Sequence, residues 1–232
     1  MERKPQEDLA ALLAKSDLLG ALTNEWALWL AQRVPDASFG RGQLVYRPRY
    51  KSRVIFVVLE GRVRLYKMVG GAEITLEIIE AGHLFGDVPA LAGRQQGTYA
   101  EALEATRVGM LSLQVLEHLV HEEPEIGLRW AELLAERLYE YRERMADVSL
   151  KKVPARLASL ILRLIEWEGV VTPEGIAIRT PYTHEQLATM IGSKRVAVSR
   201  AMSELRKSHA VEVKGRRIYL EDEETLRRSA GE

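Results

Sequence analysis

Cysteine is absent from all 232 residues, which excludes disulfides, thiolate zinc sites, cysteine-held iron–sulfur clusters and cysteine redox switches. No apolar run is long enough to span a bilayer. The first residues, Met1-Glu2-Arg3-Lys4-Pro5-Gln6-Glu7-Asp8, mix charges of both signs without the apolar core of a signal peptide, so a cytoplasmic address is expected. Missing too are a nucleophile elbow, a phosphate-binding glycine loop with lysine, a metal-ligand array and a carboxylate pair marked by spacing, and nothing points to an enzyme. His118 and His121 lie three apart beside Glu122 and Glu123, a pattern that fits a solvated helix face better than a metal site. Neither a metal nor a cofactor is expected.

Net charge is also absent overall, with 33 Lys and Arg against 33 Asp and Glu, but the balance conceals one uneven stretch. From Thr183 to Leu220 eight Lys and Arg face three Glu, a local net charge of +5 that suits a polyanionic partner. Within it, Leu187, Ala188 and Ile191 form the inner face of one short helix and Val198, Met202 and Leu205 that of a second, with Gly192 allowing the turn between them. Ser193 is expected to cap the second helix, which puts Lys194, Arg195 and Val196 in its first turn and Ser199 and Arg200 one turn on. This is a helix-turn-helix pattern aimed at the major groove of duplex DNA. Thr183, His184 and Lys194 suit phosphate contacts, which position a protein without reading sequence.

With 47% hydrophobic and 28% charged residues, the chain has the composition of a folded protein and the length for two domains. Apolar side chains at helical spacing between Glu7 and Val34 predict two short helices, broken near Ser16-Asp17 and Gly20. From Gly40 to Leu113 the pattern becomes short β-rich runs: 43–46, 54–59, 62–68, 74–79, 99–102 and 107–113. So many short strands predict an antiparallel β-roll. Val115 to Val148 is helical again around an interruption at Pro124. Its second part carries Leu134, Leu138, Tyr141, Met145 and Val148 at spacings of 4, 3, 4 and 3, a seam for pairing with a second copy. Trp130, Leu133 and Arg137 point elsewhere, toward the roll. A further helix starts after Lys151-Lys152 and ends by Gly169, and short strands at 175–179 and 210–220, the latter a hairpin around Lys214-Gly215, give the helix-turn-helix a wing. Glu221 to Glu224 reads as an acidic tail outside the DNA interface.

The fold class is therefore α+β, with an N-terminal β-roll and flanking helices over 1–123, a dimerisation helix over 124–150 and a winged helix-turn-helix over 151–232. Three segments carry a resemblance over nearly the whole chain: Leu59-Glu60-Gly61-Arg62-Val63-Arg64-Leu65, Ala81-Gly82-His83-Leu84-Phe85-Gly86-Asp87, and Gly192 to Arg200 after the long helix. Together they resemble the cyclic AMP receptor protein/FNR (CRP/FNR) family of bacterial transcription regulators. The resemblance implies a cyclic-nucleotide-binding-like roll and a homodimer that binds a two-fold-related DNA site and recruits or blocks RNA polymerase. It also implies that Arg195 and Arg200 contact bases or adjacent phosphates, and that His209, where the family often has Gly or Asn, takes a positive φ between the second helix and the wing. Between them the family commonly has a glutamate. Here the residue is Val196, which cannot accept a hydrogen bond and suits a thymine methyl instead.

The same resemblance places the effector-pocket candidates at Gly86, Asp87, Gln96, Gly97, Tyr141 and Arg142. Asp87 stands where the cyclic-AMP-binding branch has a ribose-binding glutamate, and Gln96 and Gly97 fall where it has the Arg-Ser phosphate anchor. Tyr141 and Arg142 replace small hydroxyl residues that meet the purine there. Cyclic AMP is thus not expected to activate the protein. Control without an effector, through a different small molecule in the roll, or through cyclic nucleotide held by altered contacts stays open. So does a regulatory module that acts on a protein partner, which the basic winged domain tells against. His83 lies in the glycine cassette, but the family's haem-ligand spacing is not evident.

Overall fold

The structure, a computed structural model, describes residues 5–51 and 53–231. It divides into two compact units: residues up to Met68 with Leu76–Leu138, and Val69–Thr75 with the residues from Tyr139 onward.

In the first unit, helices α1 (Pro5–Leu13) and α2 (Asn24–Ala31) flank a short 3₁₀ turn at Leu19–Ala21. Thr23 starts α2 by accepting a hydrogen bond at Oγ1 from the Trp26 amide. Two four-stranded antiparallel sheets follow. One has the order β1 (Asp36–Phe39), β8 (Thr106–Ser112), β3 (Val54–Glu60), β6 (Leu84–Phe85). The other has the order β2 (Leu44–Tyr46), β7 (Tyr99–Ala102), β4 (Arg62–Val69), β5 (Ala72–Glu80). Strand β3 is buried along nearly its whole length, so its run of Ile55, Phe56, Val57, Val58 and Leu59 serves two cores. Ile55, Val57 and Leu59 join the helices, while Phe56 and Val58 face the roll interior with Tyr46, Val63, Leu65, Phe85 and Ala100. Helices α3 (Asp87–Leu91) and α4 (Leu113–Glu122) complete the roll.

Helix α5 (Pro124–Leu150) begins on a proline, whose missing amide costs nothing at a first helical position. Its Leu133 is buried in the helix-side core, and Trp130 packs against it. The seam residues Leu138, Met145 and Val148 are exposed at 52%, 67% and 52%, Tyr141 is also exposed, and Leu134 is half-buried.

In the second unit, α6 (Val153–Glu168) packs on α8 (Arg195–Lys207) and α9 (Glu223–Ala230). The remaining helix, α7 (His184–Met190), packs on α8. A third sheet has the order β11 (Val211–Lys214), β12 (Arg217–Leu220), β10 (Gly175–Ile178), β9 (Gly169–Thr172). The wing turn is of the hairpin-favoured kind, with positive φ at both Gly215 (54°) and Arg216 (73°). Several elements differ from the sequence expectation. Strands β1, β6 and β9 and helix α3 were not anticipated. The supposed acidic tail is in part helix α9, capped by Asp222 and held by the buried Leu226 and Ala230.

Candidate nucleic-acid interface

The helix-turn-helix is built from two short amphipathic helices and a tight turn. Thr183 caps α7 through a capping box: its Oγ1 accepts from the Gln186 amide at 3.2 Å, and Gln186 Oε1 accepts from the Thr183 amide at 2.9 Å. Gly192 follows with φ of +61°, a conformation that would strain most other residues. Ser193 is not the cap expected of it. Its amide bonds to Ala188 O at 2.9 Å, and the residue that starts α8 is Lys194, without a side-chain cap. The first turn of α8 therefore begins at Arg195, one residue later than expected.

On α8, Val198, Ala201, Met202 and Leu205 are all buried at helical spacing. The opposite face presents Arg195, Val196 and Arg200 exposed and Ser199 half-buried. Val196 is 63% exposed, so this valine does not face the domain core. Arg206 and Lys207 close α8 where positive charge complements the helix dipole. His184, at the start of α7, places Nδ1 2.8 Å from Ser199 Oγ, a contact that the sequence alone did not reveal. Between α8 and the wing, His209 takes the expected positive φ of 59°, and its Nδ1 lies 2.8 Å from Glu221 Oε1.

The effector-pocket candidates of the roll have partners within their own unit. Asp87 opens α3 with only 4% of its surface exposed, and its Oδ2 accepts from Arg137 Nη1 at 3.1 Å. Arg137 Nη2 also donates to Leu84 O at 2.9 Å and lies 3.8 Å from Asp17 Oδ2. Burial pushes the Asp17 carboxyl above its ordinary range, against the opposing charges of His83 and Arg137. Gln96 is buried and donates from Nε2 to Gly86 O at 3.1 Å, while its backbone bonds to Arg49 N and Tyr50 O. Gly86 has φ of +72°, and a Cβ there would lie 2.9 Å from the Phe56 ring. The rings of Tyr46, Phe56 and Phe85 meet at centroid distances of 5.1 to 6.1 Å and fill the adjoining interior. Gly97 is exposed near Lys67, and Tyr141 and Arg142 are exposed on α5. His118 packs its ring on Trp29 at 5.1 Å.

A β-roll and a winged helix-turn-helix joined by a long helix define a class of two-domain DNA-binding regulators. The chain matches the cyclic nucleotide-binding domain over residues 37–123 and the Crp-like helix-turn-helix domain over 155–229. It is 26% identical to the global nitrogen regulator of Synechocystis sp. (strain PCC 6803), across 78% of this chain and 82% of that protein. It is 23% identical to the CRP-like cAMP-activated global transcriptional regulator of Mycobacterium tuberculosis, across 94% and 98%. The solved structure of a CRP-family transcriptional regulator from Thermus thermophilus superposes with a TM-score of 0.71 at 28% identity, across 84% and 97%. The chain belongs to the CRP/FNR family of DNA-binding transcription regulators, which are not enzymes. Among the described residues no helix is long and apolar enough to cross a membrane.

Proposed function

We propose that the protein is a cytoplasmic homodimer that binds a two-fold-related duplex site through α8 of each copy and acts on RNA polymerase without needing cyclic AMP. The observation that carries the effector reading is the Arg137–Asp87 ion pair. The carboxylate at the ribose position is already held by a guanidinium from α5, and Gln96, at the phosphate position, is spent on Gly86. A cyclic nucleotide would have to displace these bonds and would find no arginine in the usual anchor position. Membership of the family supports DNA binding, and the exposed heptad-spaced side chains of α5 support pairing of two copies. Arg195 and Arg200 read bases or hold adjacent phosphates, Val196 meets a thymine methyl, and Lys194 and Thr183 grip the backbone with Ser193 at the turn.

Fluorescence anisotropy with a palindromic duplex, combined with sedimentation of the free protein, tests this reading. A dimer whose affinity falls steeply with salt, and falls about tenfold or more on Arg195→Ala or Arg200→Ala, is expected. A monomer that binds no duplex, or arginine variants with unchanged affinity, would refute it.

A further inference from the structure

Ser199 carries a hydroxyl on the outward face of α8, one turn beyond Arg195 and Val196, and it is tied to another helix. A serine hydroxyl can donate or accept and rotates to suit its partner, so left alone it discriminates weakly between base edges. Here Ser199 Oγ lies 2.8 Å from His184 Nδ1, across 15 residues and the whole turn. That bond commits one of the two functions of the hydroxyl. An imidazole with its proton on Nε2 accepts at Nδ1, so the Ser199 proton points into the ring and only oxygen lone pairs are left for DNA. Such an oxygen fits an amino group on a base edge, cytosine N4 or adenine N6, and rejects the carbonyl oxygens of guanine and thymine.

We propose that His184 is a positioning residue for base readout, holding Ser199 as an acceptor toward one base of each half-site. The inference rests on the DNA-binding reading and adds a specificity role to a side chain that sequence alone assigned to the backbone. The two roles are compatible, because the Nε2 proton that makes Nδ1 an acceptor is also the one a phosphate oxygen would receive. While the imidazole stays neutral, a phosphate oxygen that accepts at Nε2 favours the tautomer in which Nδ1 accepts from Ser199.

The test is selection from a randomised duplex pool with the full-length protein and the variants His184→Ala, His184→Asn, Ser199→Ala and the double Ala variant, each checked by its thermal midpoint. Asparagine keeps a hydrogen-bonding atom near the place of Nδ1. The expected result is that His184→Ala and Ser199→Ala relax the same single position of each half-site. The ratio of preferred to next base should fall about three- to tenfold there. His184→Asn should keep the preference, and the double variant should match Ser199→Ala. Uniform weakening on His184→Ala with an unchanged ratio would overturn the proposal, as would a further loss of preference in the Ser199→Ala background. Should His184→Ala fail to fold, His184→Phe, which keeps the bulk of a ring and removes Nδ1, decides in its place: it must relax the position that Ser199→Ala relaxes, and an unchanged preference overturns the proposal. If the unaltered protein enriches no sequence at all, the DNA-binding reading itself fails, which is a different result from enrichment that His184 does not affect.

Discussion

Arg137, on the long helix, donates to Asp87 at 3.1 Å where α3 opens after the glycine cassette of the roll. The aspartate side chain is 6% exposed and the arginine side chain 20%. Removing one partner of such a pair strands the other, which costs more than the pair contributes. Arg137→Met should lower unfolding stability by about 2–4 kcal/mol. The double variant with Asp87→Leu should recover most of that loss. Urea unfolding of the three proteins measures both effects, and a single variant within about 0.5 kcal/mol of the parent would show that the pair is weak.

Val196 stands on the outward face of α8 with 63% of its surface exposed. Val196→Glu restores the acceptor common in the family and should shift the selected half-site at one position toward a base that presents an amino group. Repeating site selection with this variant checks the claim. An unchanged preferred site would remove Val196 from the readout.

Met145 and Leu138 lie exposed in the α5 seam, so a charge at either position should leave the fold of one copy intact. Met145→Glu should raise the dimer dissociation constant by about tenfold or more, because pairing would bury the new carboxylate. Sedimentation equilibrium measures it. A dimer as tight as the parent would place the pairing surface elsewhere.

Asp147 accepts from Arg163 at 3.0 Å and lies 2.8 Å from Lys151 Nζ. Burial raises its pKa, but the hydrogen bonds from Lys151 and Arg163, together with their charges, outweigh burial and hold the carboxyl below its ordinary range. With a folded pKa below the unfolded one, the stabilisation is present above about pH 4 and is lost as pH falls through the folded value. Asp147→Asn should therefore cost about 1 kcal/mol at neutral pH, and the gap to the parent should close in acid. Denaturant unfolding at two pH values tests the sign.

Tyr46 carries the opposite linkage. Burial, with smaller contributions from the negative charges of Asp87 and Glu77, pushes its phenol up to about 12 despite the bond to Thr98. An unfolded tyrosine ionises near pH 10, so stability should decline between about pH 10 and 12, by up to about 2–3 kcal/mol. Tyr46→Phe should lack that component of the decline, which unfolding at about pH 9 and again above about pH 11 would reveal.

Much of this architecture was legible because local chemistry and global fold agree. Gly192 and Pro124 at a helix start follow from a residue's own conformational preference, the buried row ending at Leu205 from apolar spacing, and the positive φ of His209 from the resemblance. Strand β1 was not legible, because Asp36-Ala37-Ser38-Phe39 has little β propensity and owes its conformation to pairing with β8. Helix α9 left a fainter trace, since its signal is charge order rather than an apolar stripe. Asp222 caps it, Glu223 and Glu224 open it, and Arg227 and Arg228 close it. At the site, the outward residues of α8 could be read from periodicity. The partners Arg137–Asp87 and His184–Ser199 lie 50 and 15 residues apart, and only the folded chain brings them together.

The most direct measurement is selection from a randomised duplex pool by the purified protein, with and without cyclic AMP. One palindromic site enriched equally in both is the predicted result, because Asp87 is already held by Arg137 and Gln96 by Gly86. Enrichment only when cyclic AMP is present would contradict it.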